Sequence, residues 1–414
     1  MTSRFRCPWD DQIGPRSLRQ SRARLNPAET GVFAAPAGFY TVAGLFLTGR
    51  APLLALPAVR ALFPRAPARW PARQPPARGG GPNTNHSVSA PMDFKAISSI
   101  VDDDFEAVNR FITHHLDTGV PLIREVGDYI VDSGGKRMRP LVSLLSARAA
   151  GYQGGQHVDV AAVIEFLHTA TLLHDDVVDE SSLRRGRPTV NAVWGNSASV
   201  LVGDFLISRA LQLLVALRNH RLLEILSQST NTISEGEVLQ LINRRDPTTT
   251  EASYMRVIHH KTAKMFESAA ETGAVLGIRG EHDQSELFAR FGRHLGIAFQ
   301  LIDDVLDYQG NVAELGKNVG DDLAEGKPTL PLIYAMQHGN AAQAELIRGA
   351  IRSGGLDNLT QIVDTVRECG GLQYTIDRAA EHTRLALEAL EPVANSKYKE
   401  ALYTLAEESL KRTH

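Results

Sequence analysis

Two aspartate clusters of identical spacing, from distant parts of a 414-residue chain, limit what it can fold into more than any other feature. The first is Asp175, Asp176 and Asp179 in LLHDDVVDE, and the second is Asp303, Asp304 and Asp307 in LIDDVLDY. Both sit in apolar runs without glycine or proline, which predicts buried or cleft-facing helix. Residues four apart on a helix share a face, so Asp175 and Asp179 point one way, as do Asp303 and Asp307. Carboxylates at that distance repel and raise one another's pKa unless a cation intervenes. A small set of hard oxygen ligands suits Mg²⁺, which keeps waters and completes its shell with substrate phosphates. Two such helices facing one cavity could hold a diphosphate between metal ions. A single acidic helix patch is usually a solvated face, but two copies inside apolar helix do not fit that reading.

From Met92 onward apolar residues recur at spacings of three and four, and strand alternation is absent. The clearest runs are Phe105–Leu116, Ala161–Val178, Ser199–Leu217, Leu222–Ile242, Ala263–Leu276, Leu287–Tyr308, Thr329–Met336 and Ala379–Leu390. Glycine, proline or asparagine marks the breaks, as at Ser133-Gly134-Gly135, Gly186–Pro188 and Gly326–Pro328. Residues 92–414 therefore read as one large all-α domain.

Residues 1–91 read differently. They hold twelve Arg, no Lys and three acids, a balance of +9 that leaves −12 on the remainder, and thirteen of the twenty prolines. Such Ala/Pro/Arg-rich sequence sustains neither helix nor strand and is expected to be a disordered extension. It reads as translated upstream sequence before a start at Met92, in preference to an organelle transit segment or a basic arm for nucleic acid or anionic membrane. The acidic remainder carries no nucleic-acid-binding motif. Cys7 and Cys369 make no disulfide framework or metal-ligand spacing. No run reaches the length of a bilayer span. A cytoplasmic protein is expected, mitochondrial only if residues 1–91 are a transit segment.

Basic groups complete a diphosphate site. In Gly134-Gly135-Lys136-Arg137-Met138-Arg139-Pro140 two glycines free the backbone, and Lys136 and Arg139 flank a helix start, an anion-binding arrangement. Arg184 and Arg185 follow the first aspartate cluster closely enough to reach the same phosphates, and arginine offers planar paired donors. Lys261-Thr262, Lys317 and Lys327 surround the second cluster; each alone would be an ordinary surface residue. Gln300 lies three residues before Asp303, and His168 seven before Asp175, on the same helical faces.

These motifs, GGKRMRP, LLHDDVVDESSLRRGRPT, GDFL, KTA, and FQLIDDVLDY followed by GKNVGDDLAEGKPTLPLIYA, resemble those of the trans-isoprenyl diphosphate synthases, in the family's order, from Met92 to the C-terminus. The stretch IEFLHTATLLHDDVVDES is most similar to the long-chain bacterial branch that includes octaprenyl diphosphate synthase. The resemblance implies an all-α fold around a central cavity, a homodimer, and prenyl transfer with two or three Mg²⁺ ions per site. By resemblance, Lys136, Arg139, His168 and Arg185 bind the diphosphate of isopentenyl diphosphate. Asp175, Asp176 and Asp179 hold metal at the allylic diphosphate, which Arg184, Lys261, Thr262 and Gln300 grip. Asp303 and Asp307 hold a further ion beside Asp304, with Lys317 and Lys327 near. A bulky aromatic at Ala170 or Thr171 would stop the product at farnesyl or geranylgeranyl length. Small residues there imply a longer chain passing Leu167 and Ile164, an octaprenyl product for a respiratory quinone, grown from a primer such as farnesyl diphosphate and released with transient membrane contact. A terpene cyclase needs neither the second cluster nor Lys136 and Arg139, and a non-catalytic subunit typically loses one or both clusters.

Overall fold

A computed structural model describes residues 94–278, 280, 283–309, 320–354 and 357–411, all within one compact unit. Residues 1–91 and Lys317 lie outside them. The order is α1 (Phe94–Ser99), α2 (Asp102–Leu116), α3 (Pro121–Asp132), α4 (Met138–Ala149), α5 (Gln156–Val178), α6 (Val190–Trp194), α7 (Asn196–Ala216), α8 (His220–Asn243) and α9 (Glu251–Ile258). A single π turn, His259–Ala263, then leads into α10 (Lys264–Leu276) and α11 (Ser285–Gln309). The remaining helices are α12 (Asp321–Ala324), α13 (Leu330–His338), α14 (Ala341–Ser353), α15 (Leu359–Glu368), α16 (Gly371–Leu390) and α17 (Lys397–Lys411). The all-α expectation is met. The exception among the described residues is a two-residue antiparallel ladder, Leu183–Arg184 with Arg187–Pro188, closed at Gly186.

Local chemistry sets the helix ends. The Asn219 side chain accepts the Arg221 and Leu222 N–H groups and starts α8, and Thr250 caps α9 through the Ser253 N–H. Asn340 and Gln343 form a reciprocal capping box for α14. Pro121 begins α3 where its missing N–H costs nothing.

The helices that carry the aspartates are buried in the middle of the molecule. α5 packs on α4 and α7, α4 on α10, α10 on α11, and α11 on α16. One core cluster gathers α2, α4, α5, α7, α10 and the first half of α11, where Phe288, Phe291 and Leu295 are buried. A second gathers the other half of α11, with Leu301, Ile302 and Tyr308, against α13 and α14. Each such side chain contributes about 1.5–3 kcal/mol on burial. α11 thus runs from one core to the other, and its last turns hold the second aspartate cluster at a fixed height. α7 is long and apolar enough to cross a membrane by length and composition alone, although Asp204, Ser208 and Arg209 interrupt its apolar run. Leu201, Leu211 and Val215 on α7 and Val238, Leu241 and Ile242 on α8 remain exposed.

Candidate active site

A cavity of about 990 Å³ opens between α4, α5, α8, the π turn, α11 and the segment 321–329. Its walls include Lys136, Arg139, His168, Thr171, Asp175, Asp179, Arg184, Arg185, Lys261, Thr262, Gln300, Asp303, Asp304, Asp307 and Lys327. Nearly every residue singled out in the sequence is therefore brought to one place.

At one end stands the basic group. Arg139 is half-buried, its NH1 donates to Nε2 of His168 at 3.0 Å, and its guanidinium stacks on Phe266 at 4.4 Å. Burial lowers the Arg139 pKa to about 10, which still leaves it charged at neutral pH. Burial, then the charges of Arg139, Arg185 and Arg184, hold the His168 pKa well below its ordinary value. The imidazole is therefore neutral. Arginine has no acceptor, so Nε2 of His168 accepts and Nδ1 carries the proton, free to donate to a phosphate oxygen. Arg185 NH1 donates to the Gly134 carbonyl at 2.6 Å. Gly135 makes that approach possible: at φ 141° it avoids strain, and a Cβ there would sit 2.1 Å from Arg185 NH1.

The opposite end is acidic. Asp175 pairs with Lys261 at 3.2 Å, and Asp179 with Lys327 at 3.1 Å. Burial lowers the pKa of either lysine, but neighbouring carboxylates outweigh it, Asp175 and Glu237 for Lys261 and Asp322, Asp179 and Glu325 for Lys327, so both stay protonated. On α11, Asp303 lines the cavity, and Asp307 accepts the N–H groups of Asp321 and Asp322, which anchors the start of α12. Thr262 Oγ1 donates to Gln300 Oε1 at 2.8 Å, and Gln300 Nε2 donates to Asp304 at 2.9 Å. Asp304 also accepts from the Tyr254 hydroxyl at 2.5 Å. Burial and the nearby Asp322 push the Asp304 pKa well above the carboxylate range.

Asp176 is not brought into this cavity. Adjacent helix residues are turned about 100° apart, and the Asp176 carboxylate faces a smaller crevice, where Arg184 Nε and NH2 donate to it at 2.9 and 2.7 Å. Its placement suits orienting Arg184 better than joining Asp175 and Asp179 at a shared ion. Of the residues expected along the growing chain, Thr171 lines the cavity, with its hydroxyl bonded to the His168 carbonyl. Ala170, Leu167 and Ile164 lie behind it in the main core.

Sequence reasoning passed over Glu237, Glu165 and Tyr254. Glu237 accepts a hydrogen bond from the Lys261 ammonium at 2.6 Å; burial, then Asp175, pushes its pKa up to about 7. Ile233, Glu237, Gln240 and Asn243 form one stripe on α8 and all line the cavity. Glu165 sits beside Arg137, Arg139 and Arg185, with burial raising its pKa against their charges. Tyr254 carried no signal, since an aromatic residue in an amphipathic helix reads as core.

No three acidic or histidine side chains converge on a single point among the described residues. The carboxylates come in pairs, one pair from each helix. That set fits an ion that takes few protein ligands and shares phosphate oxygens and water, as Mg²⁺ does, and does not fit a closed structural metal site.

The arrangement agrees with comparison to known proteins. Residues 120–366 match the family model described as polyprenyl synthetase. The chain is 50% identical over 324 residues to octaprenyl diphosphate synthase of Haemophilus influenzae, covering 78% of this chain and 98% of that one. It is equally 50% identical, over 323 residues, to an all-trans-nonaprenyl-diphosphate synthase (geranyl-diphosphate specific) of Rhodobacter capsulatus, covering 78% of this chain and 99% of that one. The crystal structure of a polyprenyl synthase from Caulobacter crescentus, complexed with calcium and isoprenyl diphosphate, superposes with a TM-score of 0.75 at 40% identity, over 79% of this chain and all of that one. The chain belongs to the polyprenyl synthetase family and is a prenyltransferase of its long-chain kind.

Proposed function

We propose that this synthase extends an allylic diphosphate, such as farnesyl diphosphate, with isopentenyl diphosphate to an octaprenyl chain, the side chain of a respiratory quinone. The observation that carries the reading is the division of one cavity into a basic end and a doubly acidic end. Lys136, Arg139, His168 and Arg185 grip the isopentenyl diphosphate. Arg184, Lys261, Thr262, Gln300, Lys327 and, from outside the described residues, Lys317 serve the allylic diphosphate. Asp175 and Asp179 from α5, with Asp303 and Asp307 from α11, would hold Mg²⁺, which when bound offsets the charge that develops on the departing diphosphate. The allylic C–O bond breaks, the isopentenyl double bond attacks the resulting cation to form the C–C bond, and a proton leaves, with the released diphosphate as its acceptor. Lys261 and Lys327 are charged and close enough to steady the leaving oxygens. Leu172, Ile233, Met265 and Phe299 line the cavity and keep water from the cation. The chain grows past Thr171 towards Ala170, Leu167 and Ile164.

A homodimer is supported by the exposed apolar side chains of α7 and α8, a concentration that water-facing helices rarely carry. The protein acts in the cytoplasm, with residues 92–414 as its catalytic domain, residues 1–91 dispensable, and the membrane touched only to release product.

A second product is favoured by one finding, the equal identity to a nonaprenyl synthase specific for geranyl diphosphate. The test supplies the full chain, and residues 92–414 alone, with labelled isopentenyl diphosphate, Mg²⁺ and either farnesyl or geranyl diphosphate, then resolves the dephosphorylated products by length. A dominant octaprenyl product from both proteins supports the reading. A nonaprenyl product, or a strict demand for geranyl diphosphate, replaces the octaprenyl assignment. Turnover that survives excess chelator refutes the metal-assisted mechanism.

A further inference from the structure

Glu267 takes no part in the cavity lining, yet it is among the most elaborately held carboxylates in the protein. It is 4% exposed and accepts from Lys264 Nζ at 2.7 Å, Arg293 Nε at 2.7 Å and His259 Nε2 at 3.3 Å. Burial alone would raise its pKa, but the bonds from His259, Arg293 and Lys264 hold it well below the carboxylate range. A fixed negative charge therefore sits on the face of α10 away from the substrates.

Its partners bracket the π turn. His259 is the first residue of that turn, and Lys264 is the residue just after it, whose N–H donates to the His259 carbonyl five positions back. His259 and Glu267 are eight residues apart, a rise of about 12 Å on a straight α-helix. The wider turn shortens and swings that path, and the contact spans it. Arg293 belongs to α11, which also carries Gln300 and Asp303. Glu267 thus ties both ends of the turn to the helix opposite. Between those ends lie Lys261 and Thr262, which face the cavity. The turn is also clasped by its neighbours. A Cβ on Gly236 of α8 would fall 2.7 Å from the Lys261 nitrogen, and one on Gly296 of α11 would fall 2.6 Å from the Ala263 Cα. A π turn inserts one residue into a helix, and relaxing it to regular helix would turn the following side chains by about 100°.

We infer that Glu267 is a positioning residue: it staples the π turn so that Lys261 and Thr262 both reach the allylic diphosphate. The inference rests on the roles proposed above for those two residues. It predicts that the damage falls mainly on one substrate, because the charged groups of the isopentenyl end come from α4 and the segment before it, α5 and the short hairpin, and α10 adds only the Phe266 ring under Arg139.

The test uses the full-length protein and three variants, Glu267→Gln, Gly236→Ala and Lys261→Ala, with Glu267→Gln also combined with Lys261→Ala. Glu267→Gln and Gly236→Ala are each expected to lower kcat/KM for farnesyl diphosphate by about tenfold or more, the scale of a sub-ångström to ångström misplacement, with KM for isopentenyl diphosphate within about twofold of wild type. In the Lys261→Ala background, Glu267→Gln should cost less than half of that loss on a logarithmic scale. The inference is overturned if Glu267→Gln leaves farnesyl diphosphate kinetics unchanged, if both substrates suffer alike in step with a fall in Tm, or if the full penalty persists without Lys261. Lys261→Ala with wild-type kinetics would overturn the role of Lys261 itself, and the inference with it. Should Glu267→Gln not fold, Arg293→Gln decides, since it removes the bond to Glu267 from the opposite helix: a loss confined to farnesyl diphosphate supports the inference, and unchanged farnesyl diphosphate kinetics overturn it.

Discussion

Thr171 and Ala170 are neighbours in sequence that meet different surroundings, and a phenylalanine at each separates packing from product control. Thr171 faces the cavity of about 990 Å³, so the new ring extends into open space. The loss is the hydroxyl bond to the His168 carbonyl, about 1 kcal/mol. Ala170 is fully buried in the main core. A ring there must displace its neighbours, at a cost of about 1–3 kcal/mol or more. A kcal/mol moves Tm by about 2–4 °C in a domain of 150–250 residues and by less in a larger one. Thr171→Phe should therefore melt within about 2 °C of wild type, and Ala170→Phe several degrees lower. Both should shorten the product, because both stand on the proposed path of the chain. The assay is a thermal melt beside a product-length analysis with farnesyl diphosphate as primer. Full-length product from a stable Thr171→Phe variant would refute the proposed path. Wild-type stability in Ala170→Phe would show that the core behind Thr171 is not the close-packed wall described.

The aspartates of the first cluster should separate in the same way. Asp175→Ala should lower turnover by more than about 100-fold, beyond what loss of an outer partner of a metal costs, and near-normal activity would remove Asp175 from the metal site. Asp176→Asn should lose less activity and keep the wild-type Mg²⁺ dependence, since its partner is Arg184; a raised Mg²⁺ requirement would make it a ligand after all. A stability effect should appear in acid. His294 and His382 meet Nδ1 to Nδ1 at 2.9 Å. Burial, then the charges of His294 and Arg378, lowers the His382 pKa from 6.5 to about 4, and burial lowers that of His294. The unfolded chain then binds the extra proton between pH 6.5 and 4, so this stability is complete above 6.5 and is lost as pH falls towards 4. At 1.36 kcal/mol per pKa unit the loss is on the order of 1–3 kcal/mol. Urea melts at pH 7 and 4.5 should show it in wild type and less of it in His382→Gln; equal losses in both would refute the assignment.

Helix periodicity located the aspartate helices closely. The run Leu287–Tyr308 became α11 at Ser285–Gln309, and Ala161–Val178 became the greater part of α5 at Gln156–Val178. Short amphipathic helices such as α14 and α15 were not among the clearest runs, because each spans fewer than four turns and repeats its apolar spacing only a few times. The π turn was also invisible, since one added residue alters the phase of the pattern without erasing it. At the site, motif chemistry brought together side chains from α4, α5, the hairpin and α11, but it could not tell Asp175 from Asp176. Helix spacing puts Asp175 with Asp179 and leaves Asp176 off that face, but only the structure shows that Asp176 meets Arg184 instead. Glu237 and Glu267 were missed for a related reason. Glu237 meets Lys261 itself and Glu267 meets His259 and Lys264 at the ends of the same turn, and nothing in a linear sequence links residues 237 and 267 to one turn.

α5 ends at Val178 and α11 at Gln309, so both aspartate pairs occupy the last turns of their helices. The carbonyl ends of two helices therefore lie at the acidic end of the cavity, where the allylic diphosphate is proposed to bind, and each carries about half a negative charge of its own. The start of α4, beside Lys136 and Arg139, presents N–H groups instead. A diphosphate approaching that end meets attraction from main chain and side chain together. One approaching the other end is repelled by both until positive charge is interposed. On the proposed assignment, chain direction as much as side-chain identity decides which substrate must arrive in the company of metal ions. Replacing aspartates by neutral residues would weaken that repulsion without abolishing it, because the backbone would go on supplying its share.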